Sequence, residues 1–209
     1  MTDKPELAVA IVEALSAWSV VEVQLTRLFA TLSDLETFQD GAFNYNKKAH
    51  LIFDTIKSFE ARLEIIDALM GAEGLSELEL ETWNRCSLRL GKLYKRRHPL
   101  AHFVYMQATS NAGKDAQIAP FFTLGAAMRQ DVKSLTTAQI TERKDHFEEM
   151  LHPISYFEYD ALKRRGLRLD NPMPEPPLFA RFRASASRSL EERARKRQSP
   201  PPKGETEED

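Results

Sequence analysis

The chain has 209 residues, of which 42% are hydrophobic and 29% charged, which allows one globular domain with a sizeable core but not two full domains. The formal charge of -2 and the pI near 6.2 provide no global attraction to nucleic acid, so a polyanionic partner would need a local basic patch. The single cysteine, Cys86, excludes an internal disulfide framework and a thiolate-rich zinc site, and we expect it to be a small buried side chain.

The N-terminal six residues are polar and lack the basic region and apolar run of a secretion signal. No apolar stretch of the sequence approaches the length of a helix that crosses a bilayer. We therefore expect a cytoplasmic protein that has no membrane partner.

Apolar residues at three- and four-residue steps predict a long first helix over residues 5–32. One position of its inward stripe is Glu22, a carboxylate that we expect to face the core or its edge. A second stripe predicts one helix over residues 49–70, which Gly71 and Gly74 end.

The third and fourth helices each begin with a capping box. Ser76 with Glu79 predicts the start of the third helix, and Thr136 with Gln139 predicts the start of the fourth. Pro153 lies inside the fourth helix, where it should bend the axis or divide the helix in two.

Two short β-prone runs, 103–108 and 117–123, flank the turn-prone residues 110–113 between the third and fourth helices. These runs predict a small hairpin. The complete pattern predicts an all-α fold, a four-helix up-and-down bundle with a β-hairpin insertion between helices 3 and 4.

The pattern changes after residue 166, which divides the chain into a helical domain (1–166) and a tail (167–209). The tail is Pro-rich and then Arg-rich, with seven basic residues against two acidic ones in 181–197. Such a basic segment can contact a phosphate backbone. Because charge runs with few interleaved aromatic residues are usually only solvated, we expect a solvated, disordered tail or a frayed helix.

The end of the third helix combines residues that suit chemistry. Arg97 falls on the inward face, where it needs a partner, and His102 follows five residues later. Residues five apart do not share a face of a regular helix. Pro99 disfavours helical geometry at the residue before it, so we expect a kink that lets His102 converge with Arg97.

The hexapeptide 97–102, Arg-His-Pro-Leu-Ala-His, resembles the Arg-x4-6-His motif of HEPN domains (higher eukaryote and prokaryote nucleotide-binding). A polar residue often follows the arginine in that motif, as His98 does here. The first helix is similar to a common first helix of the family at Trp18, Glu22, Leu25 and Leu28. The resemblance covers residues 5–165, although Pro99 and the long insertion depart from the simplest members.

The resemblance implies a metal-independent endoribonuclease that needs no cofactor and works on RNA as a homodimer, with two motifs meeting across a cleft. It also suggests a toxin or phage-defence effector, with an inhibitor or antitoxin protein as partner. In this interpretation His102 takes the proton from a ribose 2′-hydroxyl, and Arg97 stabilises charge on the phosphoryl oxygens. Glu22 would orient Arg97, and His98 would bind phosphate or act as the acid.

Two other interpretations remain open. Arg97 can be part of a structural ion pair in a non-catalytic HEPN-like module for dimerisation or protein binding. His98 and His102, four residues apart, can also ligate a metal ion. Because no neighbouring carboxylate or cysteine completes such a shell, we expect no metal.

Overall fold

The computed structural model describes residues 4–33, 36–39, 42–45, 47–106, 117–120, 135–166 and 171–198, and this part of the chain is mostly helical. Its helices are α1 (Lys4–Leu32), α2 (Lys47–Thr55), α3 (Phe59–Ala72), α4 (Glu77–His102), α5 (Thr137–Arg164) and α6 (Pro177–Gln198). Its strands are β1 (Glu36–Gln39), β2 (Ala42–Tyr45), β3 (Phe103–Met106), β4 (Gln117–Pro120) and β5 (Leu135–Thr136). None of the described helices is long and apolar enough to cross a bilayer.

The strands form two small antiparallel sheets at the ends of helices. β1 pairs with β2, and β4 lies between β3 and β5. In the second sheet Phe103 is opposite Pro120, and Gln117 is opposite Thr136. The turn predicted at residues 110–113 lies outside the described residues.

The predicted second helix is wrong as a single element, because the structure divides it into α2 and α3. The guanidinium carbon of Arg62 in α3 lies 5.2 Å from the ring centre of Phe53 in α2, so the chain folds back between them. Ser58 caps the new helix, its Oγ accepting a hydrogen bond from the Ala61 N–H at 3.3 Å. Phe53 is therefore buried in α2 together with Ala49, whereas Ile52, which continues the predicted stripe, is exposed.

The break between α2 and α3 adds a helix to the predicted bundle and so changes the direction of the last helix relative to the first. Glu13 contacts Lys144 near one end, and Arg165 contacts the carbonyl of Thr31 near the other, so α1 and α5 run parallel. The five helices α1 to α5 alternate in direction, which makes the first and the fifth parallel. In the predicted four-helix up-and-down bundle the first and last helices would be antiparallel.

The core is built around Trp18 of α1, which is 1% exposed. Its ring centre lies 5.1 Å from Phe59 of α3, 6.0 Å from Tyr94 of α4 and 5.2 Å from Phe147 of α5. Aromatic pairs at these distances add to the free energy gained from burial. The cluster joins α1, α3, α4 and α5 and fixes how each is rotated about its axis.

Both predicted capping boxes are confirmed. The Ser76 N–H donates to Glu79 Oε2 at 2.7 Å, and the Glu79 N–H donates to Ser76 Oγ at 3.3 Å. Thr136 and Gln139 form the same reciprocal pair at the start of α5. α5 then continues through Pro153 as one helix.

Cys86 is buried, as the sequence suggested. Burial, together with the negative charge of Asp67, raises the pKa of its thiol far above the usual value. The Asp67 carboxylate also accepts a hydrogen bond from the Trp83 indole N–H at 2.5 Å. The thiol is therefore an unreactive core group.

The prediction of a disordered tail is wrong for residues 177–198, which form α6 and pack on α4 and α5. Leu178, Phe179 and Ala186 are buried on its inner face. The Phe179 ring lies 4.5 Å from Tyr156 and 5.0 Å from Phe157 of α5. A few apolar residues at helical spacing are enough to hold this Arg-rich helix against the bundle, with most of its basic side chains exposed.

Arg165, at the C-terminal cap of α5, joins the ends of three helices. Its guanidinium donates to the backbone carbonyl groups of Thr31 and Leu32 at the end of α1. It also contacts Glu73, which caps α3, at 2.6 Å. Carbonyl groups at a helix end lack partners within the helix, so this side chain satisfies groups that would otherwise need water.

We expect Arg165→Ala to lower the free energy of unfolding by about 2 to 3 kcal/mol, because it removes charge-assisted hydrogen bonds at a partly buried site. Arg164→Ala is the matched control, because its ion pairs with Glu79 and Asp160 lie at the surface and should contribute less than about 1 kcal/mol. Urea denaturation of both variants measures the difference. Equal losses would contradict the role assigned to Arg165.

The capping box of α4 predicts a pH dependence. Burial acts to raise the pKa of Glu79, but hydrogen bonds from Ser76 and the charge of Arg164 outweigh it, so the pKa lies below its usual value. A depressed carboxyl pKa stabilises the fold at neutral pH, and this contribution is lost as the pH falls through the folded-state value.

Glu79→Gln keeps the acceptor for the Ser76 N–H and removes the charge. We expect this variant to be less stable than the wild type at pH 7, by less than about 1 kcal/mol, and the difference to shrink as the pH falls below the ordinary glutamate pKa of about 4.3. Urea midpoints measured between these pH values test the sign. A difference that grows on acidification would contradict it.

Candidate active site at the end of helix α4

The last turns of α4 carry the residues that resemble the HEPN motif. α4 does not end or divide at Pro99 but continues through it to His102. Successive residues of a helix are about 100° apart around the axis, so His98 and His102 share a face while Arg97 is on a neighbouring one. The structure therefore brings the two histidines together.

The two imidazoles are in direct contact. The ring centres of His98 and His102 are 4.2 Å apart, with the ring planes inclined at 47°. Both side chains are exposed to solvent. Since neutral imidazole accepts a proton and imidazolium donates one, the pair offers a base and an acid at one place on the surface.

The predicted convergence of His102 with Arg97 does not occur within one chain. Among the described residues, His102 has its ring contact with His98 and makes none with Arg97. A Pro inside a helix removes one backbone hydrogen bond without necessarily ending the helix. Leu100, one position beyond Pro99, is buried and keeps this last turn against the core.

Arg97 lies on the inward side of the helix end, where it is half-buried. Its Nε atom is buried and has no hydrogen-bond partner in the part of the chain that the structure describes. Within the described residues no carboxylate forms an ion pair with this guanidinium. A buried donor without an acceptor costs free energy, so the contacts among the described residues do not explain why Arg97 is placed here.

The expected pairing of Glu22 with Arg97 is wrong. Glu22 Oε1 lies 3.9 Å from Nη1 of Arg62 in α3, and the Arg62 Nε–H donates to the carbonyl of Ile56 at 2.9 Å. Glu22 is half-buried at the edge of the core, as its position on the stripe suggested. Its role is therefore to join α1 to the start of α3, away from the histidine pair.

The sequence predicts a basic cluster of Lys92, Lys95, Arg96 and Arg97 beside the motif, and the structure adds Arg143 and His146 of α5, which were not predicted. The Arg143 guanidinium of α5 donates to the backbone carbonyl of Arg96 at 2.6 Å, and Arg96 Nη1 lies 3.5 Å from His146 Nδ1. Burial, followed by the positive charge of Arg96, lowers the pKa of Arg143. Two guanidiniums and an imidazole are thus held close together without a carboxylate ion pair among the described residues.

The remaining basic residues of this region are Lys92 and Lys95, both exposed on α4. Together with Arg96 and Arg143 they form what we call the α4 basic cluster. Basic residues near a helix C-terminus also interact favourably with the helix dipole. A cluster of this kind can attract a phosphate group to the two imidazoles.

The described residues contain no group of three or more His, Cys, Asp or Glu side chains arranged to hold a metal ion. The comparisons with known proteins add no identification, because no family model, curated protein or solved structure matches the chain. The site must therefore be interpreted from its own side chains.

We expect Arg97→Met to leave the free energy of unfolding unchanged or to raise it, because methionine fills a similar space and needs no hydrogen bond. Arg62→Met is the control. It removes the bonds to Glu22 and Ile56 and should cost about 2 kcal/mol. Chemical denaturation measures both values. A large loss for Arg97→Met would mean that Arg97 is a structural residue.

Proposed function

We propose that this chain is a metal-independent endoribonuclease of the HEPN type, which cleaves RNA by attack of the ribose 2′-hydroxyl. The observation that carries the proposal is the contact between the exposed imidazoles of His98 and His102 beside the α4 basic cluster. The resemblance of residues 97–102 to the HEPN motif supports the same chemistry.

The proposed reaction needs one proton acceptor and one proton donor. Neutral His102 takes the proton from the 2′-hydroxyl, and the oxygen attacks the adjacent phosphorus. Protonated His98 gives its proton to the 5′-oxygen as the phosphorus–oxygen bond breaks. The products are a 2′,3′-cyclic phosphate and a free 5′-hydroxyl, so neither water nor an external reagent is consumed in this step.

Cationic side chains would stabilise the charge that develops in this reaction. Negative charge on the phosphoryl oxygens is stabilised by nearby guanidinium groups, which can donate two hydrogen bonds to a phosphate. Arg97 is assigned this role because its guanidinium is not used in an ion pair with the described residues. Arg96 and Arg143 extend the positive surface on which the RNA backbone would lie.

The wider biological context is also proposed from the resemblance. The enzyme would work as a cytoplasmic homodimer, as the toxin or effector of a defence system that an antitoxin or other inhibitor protein inhibits.

The second candidate function is a non-catalytic HEPN-like module for dimerisation or protein binding. The placement of Arg97 and His102 on different faces of α4 favours this alternative, because the two groups do not meet within one chain.

Cleavage of single-stranded RNA in the presence of a chelator separates the two functions. We expect the wild type to produce 2′,3′-cyclic phosphate ends, and not to cut an RNA with a 2′-deoxy sugar at the scissile position. His98→Gln and His102→Gln should each lower the rate at least about 100-fold, the usual contribution of a general acid or base. Arg97→Met should lower it similarly if the guanidinium stabilises the transition state.

His152→Gln is the matched control, because His152 is an exposed histidine of α5 outside the proposed site. Its rate should equal that of the wild type. Equal cleavage by the His98, His102 and control variants, with unchanged circular dichroism, would exclude the nuclease proposal. RNA binding without cleavage would favour the non-catalytic module.

A further inference from the structure

A groove follows one flank of α6, at the edge of its contact with the bundle. It has a volume of about 340 Å³ and is lined by Leu178, Arg181, Phe182, Ala184, Ser185 and Arg188. At about 100° per residue, all of these except Ala184 fall within a sector of about 120° around the helix axis. We call these six residues the α6 groove. Its volume is in the range of sites that take a small organic group.

The floor of the α6 groove is apolar and its outer rim is cationic. Leu178 is buried and Phe182 is half-buried, so part of the Phe182 ring faces the groove. Arg181 and Arg188 are exposed and lie seven residues apart, or about 10 Å along the helix. An aromatic ring beside two guanidinium groups suits a nucleobase together with its phosphate groups.

The two arginines of the rim differ in their contacts. Arg188 forms no ion pair with the described residues. Arg181 Nη1 lies 3.8 Å from Glu149 Oε1 of α5, but the Arg181 side chain is 75% exposed, so this is a weak surface pair. Arg188 is therefore the side chain of the groove that is available to an external anion.

The charge of α6 differs in sign from that of the rest of the chain. α6 carries seven basic and two acidic residues, a net charge of +5, whereas the whole chain has -2, so the other residues together carry -7. Both acidic residues are engaged within α6, Glu191 with Ser187 and Glu192 with Lys196. Six of the seven cations are arginines, which can form two parallel hydrogen bonds with a phosphate.

The α6 groove and the α4 basic cluster are neighbours along α5. Glu149, which contacts Arg181, follows His146 by three residues, a rise of about 4.5 Å. His146 Nδ1 lies 3.5 Å from Nη1 of Arg96 in the α4 basic cluster. One extended polyanion can therefore contact both surfaces.

We propose that the α6 groove binds single-stranded RNA, with one nucleobase stacked on Phe182 and a neighbouring phosphate held by Arg188. The choice of RNA rests on the proposed function, which places RNA cleavage beside the adjoining α4 basic cluster. The choice of a single strand follows from Phe182, because the face of a base is accessible to an aromatic side chain only where the base is unstacked.

An anionic membrane suits this surface less well. A helix that lies on a membrane inserts its apolar face into the lipid. α6 uses Leu178, Phe179 and Ala186 against the bundle, so its main apolar residues are already covered. The exposed basic side chains then favour a partner that presents phosphate groups along a strand.

Binding to an RNA that cannot be cleaved tests the proposal on the full chain. The probe is a fluorescent 2′-O-methyl RNA of about 12 nucleotides, a length that single-stranded sites cover, without the hydroxyl group that the cleavage reaction needs. We expect the wild type to bind this strand and to bind its duplex more weakly, as fluorescence anisotropy measures. Absence of binding at physiological salt, or equal binding of the duplex, would overturn the proposal.

The role of the aromatic ring is tested at Phe182. Phe182→Leu keeps an apolar contact with the bundle but removes the flat ring, and should raise the Kd about tenfold. Phe182→Tyr keeps the ring and should bind like the wild type. A Phe182→Leu variant with unchanged circular dichroism and an unchanged Kd would exclude stacking on this residue.

The role of the guanidinium is tested at Arg188. Arg188→Gln should raise the Kd and reduce the slope of log Kd against log salt by about 0.7, the value for one phosphate contact of a single strand. Arg188→Lys should retain the slope. Arg197→Gln is the matched control, because Arg197 is exposed on α6 about 180° around the helix from Arg188, and it should bind like the wild type.

Equal losses in Arg188→Gln and Arg197→Gln would mean that the charge of the whole helix attracts RNA, and would overturn the groove. Vesicles that contain an anionic phospholipid test the other class of partner. We expect them to bind the chain more weakly than RNA does. Vesicle binding that depends on Arg188, without RNA binding, would assign α6 to a membrane surface instead.

The failure of this inference can be distinguished from the failure of the proposed nuclease, because the binding probe cannot be cleaved. Binding in the α6 groove without cleavage of unmodified RNA would retain the groove and remove the nuclease. Cleavage by the wild type, with unchanged Kd and rate in Phe182→Leu and Arg188→Gln, would do the reverse.

Discussion

The contact of Trp18 with three aromatic rings determines the layout of the candidate site. Trp18 packs against Tyr94, which turns that side of α4 toward the core. Arg97 is one helical turn beyond Tyr94 and must also point inward, whereas His98 and His102 are displaced to the exposed side. The separation between the guanidinium and the two imidazoles is thus a consequence of core packing.

The sequence predicted the starts of α4 and α5 but not the start of α3, because only the first two carry a complete local signal. Capping boxes are local interactions over three residues, so Ser76 and Thr136 could be assigned from their neighbours alone. The break before α3 has no such signal, because Ser58 is followed three residues later by Ala61 rather than by Glu or Gln. Ile56 and Phe59 also continue the helical spacing across the break, which hides it.

Long-range ion pairs could not be predicted either. Glu22 was recognised as a carboxylate at the core edge, but α3 brings Arg62 to it only because the chain folds back after α2. The packing of α6 depends likewise on an apolar surface formed by α4 and α5, to which its few hydrophobic residues bind. Periodicity identifies the inward face of one helix and gives no information about which other helix it meets.

Two features of the described residues differ in chemical character, one polar and one apolar. The Nε atom of Arg97 is a buried donor without an acceptor among these residues, and Val9, Val12, Val20 and Val23 of α1 expose an apolar surface to solvent. Each costs free energy unless another group covers it, and the core packs without either of them. The guanidinium suits the proposed contact with an anion, whereas the valines suit contact with another apolar surface. Because the two features lie on different helices, a substitution at one should leave the other unchanged.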